Sequence, residues 1–281
     1  NIVDPACGSG SFLIRAFKEL CDVIEERLKK GERAKMMTFN SYRDRLSLGQ
    51  KAAILSNCIY GVDLDEKAVE LAQLNLLLRL LEEETPDTHK RLLPNLRENI
   101  KCGNSLIDDP KIAGDKAFKW EAQFPDVFRN GGFDVVIGNP PYIFARSKSF
   151  TESEKNYFYS RYKLTQYQIN TYLLFNELAI NILNDRGNFG FIIPNTWQTI
   201  DNFSKFRKFL FNNLSDIRII NSKDKVFGEA NVDSSILIFS KSDKKDGKVS
   251  LLSLKEGKFN NIFQGNANKF GDNYIINFSE G

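Results

Sequence analysis

Histidine is all but missing from this 281-residue chain: His89 stands alone. One imidazole in the polar stretch 82–90, with no cysteine or second histidine beside it, is expected to be a solvated loop residue. It excludes any mechanism that needs a histidine base together with a histidine ligand. Cysteine is sparse as well: Cys7, Cys21, Cys58 and Cys102 lie far apart and form no Cys-x-x-Cys pair. That pattern argues against a thiolate zinc site and a disulfide framework, leaving reduced thiols and no metal. No apolar run approaches the roughly 20 residues that span a bilayer, and the N-terminus lacks a signal-peptide pattern, so a cytoplasmic protein without membrane contact is expected. A surplus of one charge is lacking too. The 39 Lys and Arg barely exceed the 36 Asp and Glu, for a net charge of +3. The pI near 8.5 falls short of the value above about 9 that marks a strongly basic nucleic-acid-binding domain, so charge permits such a partner without requiring one.

What the chain does have is short apolar strands alternating with helices. Residues 1–4 read as the tail of a strand whose beginning is missing. A glycine-rich turn at 5–10 leads into an amphipathic helix to about residue 30, with Phe12, Leu13, Ala16, Phe17 and Leu20 on its apolar face. Helices are predicted over 42–57, 66–83, 168–184 and 204–212. Strands are predicted at 59–63, 99–104, 133–138, 189–193, 217–220 and 235–239, and a loop at 84–96. This order predicts a mainly parallel α/β sheet with helices on both faces. In such sheets ligands bind beyond the carboxyl ends of the strands, which is where the three most distinctive motifs fall. After about Ser242 comes a charged linker and then a tail rich in Asn, Gly and Phe. The expected organisation is therefore a catalytic domain over 1–245, and over 246–281 a linker and the start of another domain.

Two motifs suggest a nucleoside pocket. In Asp4-Pro5-Ala6-Cys7-Gly8-Ser9-Gly10, small residues let the backbone approach a ligand at a helix N-terminus, although a tight βα turn kept for packing alone would look the same. At the next strand end Asp63, followed by Leu64, can accept the hydroxyl hydrogens of a ribose. At the third, Asn104 and then Ser105 could meet an adenine edge. The separation of glycine turn and ribose acid exceeds the ~20 residues of a dinucleotide fingerprint, which disfavours nicotinamide cofactors.

The most specific signal is Asn139-Pro140-Pro141-Tyr142 at the fourth strand's exit. A purine exocyclic amine is a poor nucleophile because its lone pair is delocalised into the ring. The Asn139 amide oxygen and the Pro140 carbonyl can accept its hydrogens and favour a pyramidal nitrogen, so that positioning and oriented dipoles replace a strong base. Pro140 and Pro141 stiffen the turn, and Tyr142 offers a face for a base to stack on, worth about 1–3 kcal/mol. A rigid turn with a packed tyrosine is the competing reading.

Taken together, these residues are similar to the amino-methyltransferase family of the class I S-adenosylmethionine-dependent fold. Within it they resemble the adenine-N6 DNA methyltransferases of restriction–modification and phage-exclusion systems. The resemblance runs to about Ser240 and rests on residues 4–10, 60–65, 103–106, 139–142, 170–172, 190–197 and 227–239. It implies a Rossmann-like, seven-stranded, mainly parallel sheet with an antiparallel last strand, and S-adenosylmethionine as cofactor. It also implies that Asp4, Ala6, Cys7, Gly8 and Gly10 border the donor, that Asp63 and Leu64 hold its ribose, and that Asn104 and Ser105 meet its adenine. Asn139, Pro140, Pro141 and Tyr142 would then carry the target base, with Tyr172 and Phe227 as further base contacts. Two departures stand out: the segment that holds the donor's methionine end would precede Asn1, and Asn104 replaces the family's usual acid. The family further implies a target-recognition domain, of which residues 246–281 would be the start.

The implied partner is double-stranded DNA, with specificity or restriction subunits possible. Flipping a base out of a duplex costs a few kcal/mol, which phosphate contacts could offset. Candidates are Arg146, Lys148, Lys155, Lys205, Arg207 and Lys208, with 144–161 read as a loop that closes over the nucleotide. Methylation of another planar amine (cytosine N4, ribosomal RNA guanine or release-factor glutamine) is the enzymatic alternative. A methyltransferase-like specificity module without catalysis is the non-enzymatic one. No nuclease carboxylate–lysine cluster is evident.

Overall fold

The computed structural model describes residues 1–30, 45–82, 93–144, 149–165, 168–222, 233–242, 247–276 and 278. These form two compact units, Asn1–Ser105 and Leu106–Gly281.

In the first unit, β1 (Ile2–Asp4), β2 (Ile59–Asp63) and β3 (Ile100–Cys102) accompany helices α1 (Ser11–Lys29), α2 (Leu48–Cys58) and α3 (Glu66–Leu81). The strands run parallel in the order β3-β2-β1, with Asp4 opposite Gly61 and Asp63 opposite Cys102. This register brings the carboxyl ends of β1 and β2 to one rim. Apolar faces of all three helices supply the core: Leu13 and Phe17, Ile54 and Leu55, then Val69, Ala72, Leu76 and Leu80. The helix predicted over 42–57 begins at Leu48. Ser47 caps it, its hydroxyl accepting the Gln50 N–H (3.3 Å) while the Gln50 side chain accepts the Ser47 N–H (2.7 Å), a reciprocal cap that satisfies two helix-end donors. The single histidine and residues 42–44 lie outside the described residues.

The second unit opens with three short helices, α4 (Pro110–Ala113), α5 (Trp120–Gln123) and α6 (Pro125–Arg129). Then follow β4 (Phe133–Gly138), α7 (Glu152–Arg161), α8 (Thr171–Ile182), β5 (Leu183–Pro194), α9 (Ser204–Asn213), β6 (Ser215–Ser222), β7 (Ser234–Ser240), β8 (Lys248–Lys255) and β9 (Lys258–Asn266). The strand order is β4-β5-β7-β6-β8-β9. β4 and β5 are parallel, and β7 is antiparallel to both of its neighbours, β5 and β6.

Three expectations change. Nine strands, not seven, are present among the described residues, because β8 adds parallel to β6 and β9 antiparallel to β8. Residues 248–266 therefore add two strands to this sheet. Their burial has period two in β8: Val249, Leu251 and Ser253 face inward, while Lys248, Ser250 and Leu252 do not. Second, much of the stretch read as a loop at 144–161 is helix α7, started by a reciprocal cap between Thr151 and Glu154. Third, Arg207 faces inward on α9 with 0% exposure, donating to the carbonyls of Trp197 (2.7 Å), Ile200 (2.8 Å) and Asn273 (3.0 Å). It fastens the segment after β5 and cannot serve as a phosphate contact. Lys205 and Lys208 on the same helix are exposed. No described helix is long and apolar enough to cross a membrane.

Because a planar guanidinium spans three carbonyls that an ammonium cannot reach together, Arg207→Lys should cost about 2 kcal/mol or more in urea unfolding. Lys208→Ala, one residue on, should cost less than about 0.5 kcal/mol.

Candidate active site

In the first unit the turn after β1 is shaped from within. Asp4, 2% exposed, accepts the Ala6 N–H at 3.0 Å and so bends the chain back on itself. Cys7 is buried, and its N–H donates to the Val62 carbonyl at 3.0 Å. Burial pushes its thiol well above the ordinary range, so it stays protonated and packs rather than reacts. It lies against Gly61, where a Cβ would come within 3.0 Å of its sulfur and 2.7 Å of Leu13 Cδ1.

Gly8 and Gly10 both have positive φ, 52° and 85°, where glycine alone is unstrained. They differ in what surrounds them. A Cβ on Gly10 would meet Ala72 Cβ of α3 at 3.2 Å, whereas one on Gly8 would meet nothing within 4 Å. Gly10 is thus kept for close packing on α3, and Gly8 lines an open cradle. The helix behind also holds the turn through Asn75, whose amide donates to the Ser9 carbonyl at 3.0 Å.

Asp63, at the end of β2, locks the turn to the next strand. One carboxylate oxygen accepts the Gly8 N–H (2.8 Å) and the other the Asp65 N–H (3.0 Å). A carboxylate has about four acceptor positions, so capacity remains on both oxygens. Leu64 beside it is 56% exposed, an apolar surface adjoining an acid. The Gly103 N–H donates to the Asp63 carbonyl at 2.9 Å, which brings half-buried Asn104 to the same rim. Ser105 turns inward, its hydroxyl donating to the Pro5 carbonyl at 2.6 Å. Asp4, Cys7 and Ser105 therefore build the turn from behind, while Ala6, Gly8, Asp63, Leu64 and Asn104 form its accessible side.

In the second unit, β4 delivers Asn139-Pro140-Pro141-Tyr142. The Tyr142 hydroxyl lies 2.5 Å from Asn139 Oδ1 and 3.0 Å from the Ile192 carbonyl of β5, and has one proton to donate between them. Burial raises its pKa to about 12, partly offset by a hydrogen bond with the Ser234 side chain, so it remains a donor. Donation to Asn139 Oδ1 leaves the second lone pair of that oxygen for another donor. Tyr172 stands edge-on behind Tyr142, ring centroids 6.4 Å apart. At 0% exposure it is not open to the direct base contact expected from the sequence; it buttresses the Tyr142 ring. Arg146, Lys148 and Phe227 lie outside the described residues. Lys155 is paired with Glu152 at 2.6 Å.

Sequence reading counted Thr171 within the 170–172 motif but gave it no role of its own. Its hydroxyl donates to the Pro141 carbonyl and accepts the Ile143 N–H at 2.8 Å. A Thr directly ahead of a helical apolar run is a local signal, but it does not name the distant loop it serves.

The fold is that of the class I S-adenosylmethionine-dependent methyltransferases. More narrowly, residues 57–227 match the Eco57I restriction-modification methylase family, to which the chain belongs, and residues 1–86 match an RMKL-like methyltransferase domain. The type II restriction enzyme and methyltransferase RM.Eco57I of Escherichia coli is 37% identical over 220 residues, 76% of this chain and 22% of that protein. The adenine-specific methyltransferase PglX of Streptomyces coelicolor is 27% identical over 167 residues, 53% of this chain and 13% of its own length. Among solved structures, a nuclease-deletion mutant of the Type ISP restriction-modification enzyme LlaGI, in complex with a DNA substrate mimic, superposes with a TM-score of 0.67 at 18% identity. That match covers 98% of this chain and 24% of the LlaGI chain. The chain thus spans less than a third of the length of these relatives.

Burial lifts the Asp4 carboxyl from its ordinary 3.8 to about 7, opposed by the Ala6 N–H and reinforced by the charge of Asp63. The folded protein therefore holds this proton more tightly than the unfolded chain does. The stability Asp4 contributes is fully present below about pH 4, is lost as pH rises to about 7, and changes no further above that. Asp4→Asn keeps an oxygen for Ala6 but does not titrate. Its stability relative to wild type should rise by at most about 4 kcal/mol across this window and then level off. Urea unfolding measured from pH 4 to pH 9 checks this; a difference independent of pH would contradict it.

Proposed function

We propose that the chain is the catalytic part of a cytoplasmic restriction–modification DNA methyltransferase that transfers a methyl group from S-adenosylmethionine to the N6 amine of a flipped-out adenine. The observation that carries this reading is the fixed amide of Asn139, its oxygen oriented by the Tyr142 hydroxyl at 2.5 Å.

The residues of the first unit fit the donor. Gly8 leaves open space where any side chain would stand, Asp63 retains acceptor positions for the two ribose hydroxyls, and exposed Leu64 supplies apolar surface for the adenine, with Asn104 at its edge. When bound, S-adenosylmethionine supplies an electrophilic methyl group on a sulfonium.

In the second unit Asn139 Oδ1 and the Pro140 carbonyl accept the two hydrogens of the substrate amine. Those bonds draw the nitrogen lone pair out of conjugation with the ring, which lowers the barrier through positioned dipoles rather than through a base. The face of Tyr142 holds the base by stacking. Asn139 is neutral and does not retain a proton, so the proton lost on methylation leaves to solvent. Membership in the family supports DNA as the substrate, and the named specificity of PglX supports adenine. Exposed Lys205 and Lys208 are suited to contact phosphates, and specificity or restriction subunits are the expected protein partners.

The test uses the intact protein with duplex DNA and S-adenosylmethionine, followed by nucleoside digestion and mass spectrometry. N6-methyladenine should accumulate, and Asn139→Ala should lower its rate at least about a hundredfold with donor affinity unchanged. Accumulation of N4-methylcytosine, or methylation of RNA or protein but not DNA, would overturn the assignment.

A further inference from the structure

We propose that Thr171 is the positioning residue of the amine clamp, an inference that rests on reading 139–142 as that clamp. Thr171 is the first residue of α8, and its single hydroxyl serves two partners on either side of Tyr142. It donates to the Pro141 carbonyl and accepts the Ile143 N–H at 2.8 Å. The Pro141 carbonyl belongs to the rigid peptide plane that precedes the Tyr142 Cα, and the Ile143 N–H belongs to the plane that follows it. One oxygen atom therefore pins both planes, and with them φ and ψ of Tyr142. The backbone reinforces this, since the Thr171 N–H donates to the Ile143 carbonyl at 3.1 Å and Phe144 pairs with Asn170 in an antiparallel bridge.

Two consequences reach the site. Tyr142 is the residue whose hydroxyl orients Asn139, so a backbone fixed at 142 fixes the amide oxygen at 139. The hydroxyl also occupies one of the two acceptor positions of the Pro141 carbonyl, so the neighbouring Pro140 carbonyl is the less engaged partner for an incoming amine.

The residues flanking Thr171 show that this bonding is specific to it. Asn170 and Tyr172 are buried on either side, yet the Asn170 amide atoms have no hydrogen-bond partner among the described residues and the Tyr172 hydroxyl reaches only the Thr196 side chain. Beside a buried amide that goes unpaired, at a cost, the Thr171 hydroxyl is satisfied by the backbone of the clamp. Packing would be served equally by valine, which has the same shape and lacks the bonds.

In the intact protein, Thr171→Val should lower kcat for DNA methylation by about ten- to a hundredfold and leave the dissociation constant for S-adenosylmethionine within about twofold. Thr171→Ser, which restores the hydroxyl, should recover most of the rate. A second readout needs no variant to fold: the wild-type Ile143 amide should exchange with solvent more slowly than an unbonded loop amide. The inference is overturned by an unprotected Ile143 amide, by a Thr171→Val rate equal to wild type, or by a Thr171→Ser variant as slow as Thr171→Val. Asn139→Ala, run alongside, separates the two levels. Should it methylate normally, the clamp reading itself fails; should it be inactive while Thr171→Val is unimpaired, only the role of Thr171 falls.

Discussion

The 2.5 Å bond between the Tyr142 hydroxyl and Asn139 Oδ1 has to survive in a place where a tyrosine could easily swing away. Several elements hold it. β5 contributes the Ile192 carbonyl on one side of the hydroxyl, Tyr172 closes off the back of the ring, and Thr171 at the head of α8 secures the backbone beneath. Each comes from an element later in the chain than the motif itself. A strand exit with two prolines is stiff, but stiffness does not choose a direction; α8 and β5 choose it. The parallel pairing of β4 with β5, Gly138 opposite Phe191, is what brings Ile192 within reach.

The first unit works by a different economy. Its turn has no large side chains to position, so its shape comes from backbone amides captured by carboxylates. Asp4 takes Ala6, and Asp63 takes Gly8 and Asp65. The two acids divide the work by depth. Asp4 is sealed away and tends to hold its proton, while Asp63 at the rim keeps acceptor positions open. An acid that only bends the chain can be buried; one that keeps acceptor positions free stays at the rim.

The extent to which sequence revealed this follows from the range of each interaction. Strand ends and their motifs were legible because a strand of four to six apolar residues, a glycine turn and a helical period are all local patterns. The antiparallel β7 was expected from resemblance and is present. β8 and the helix α7 were also written in local patterns, as alternation in 248–254 and as the Thr151–Glu154 cap, but a tail rich in Asn and a stretch rich in Lys masked them. What could not be read was burial. Tyr172 and Arg207 look like surface chemistry in sequence, an aromatic and a cation close to a motif. Their interior positions depend on neighbours such as Phe203 and the Asn273 carbonyl, which no local pattern specifies. Ser105 and Cys7 sit beside the pocket in sequence and behind it in space for the same reason.

Gly10 and Ala72 touch almost without clearance, 3.2 Å from the position a glycine Cβ would take, so α3 acts as a template on which the cradle is cast. Widening that contact on the helix side, with serine or valine in place of Ala72, would push against the turn rather than against a yielding core. Overpacking deep in α3 would then reshape the turn after β1 as well as cost about 1–3 kcal/mol of stability, and the two positions are free to change only together.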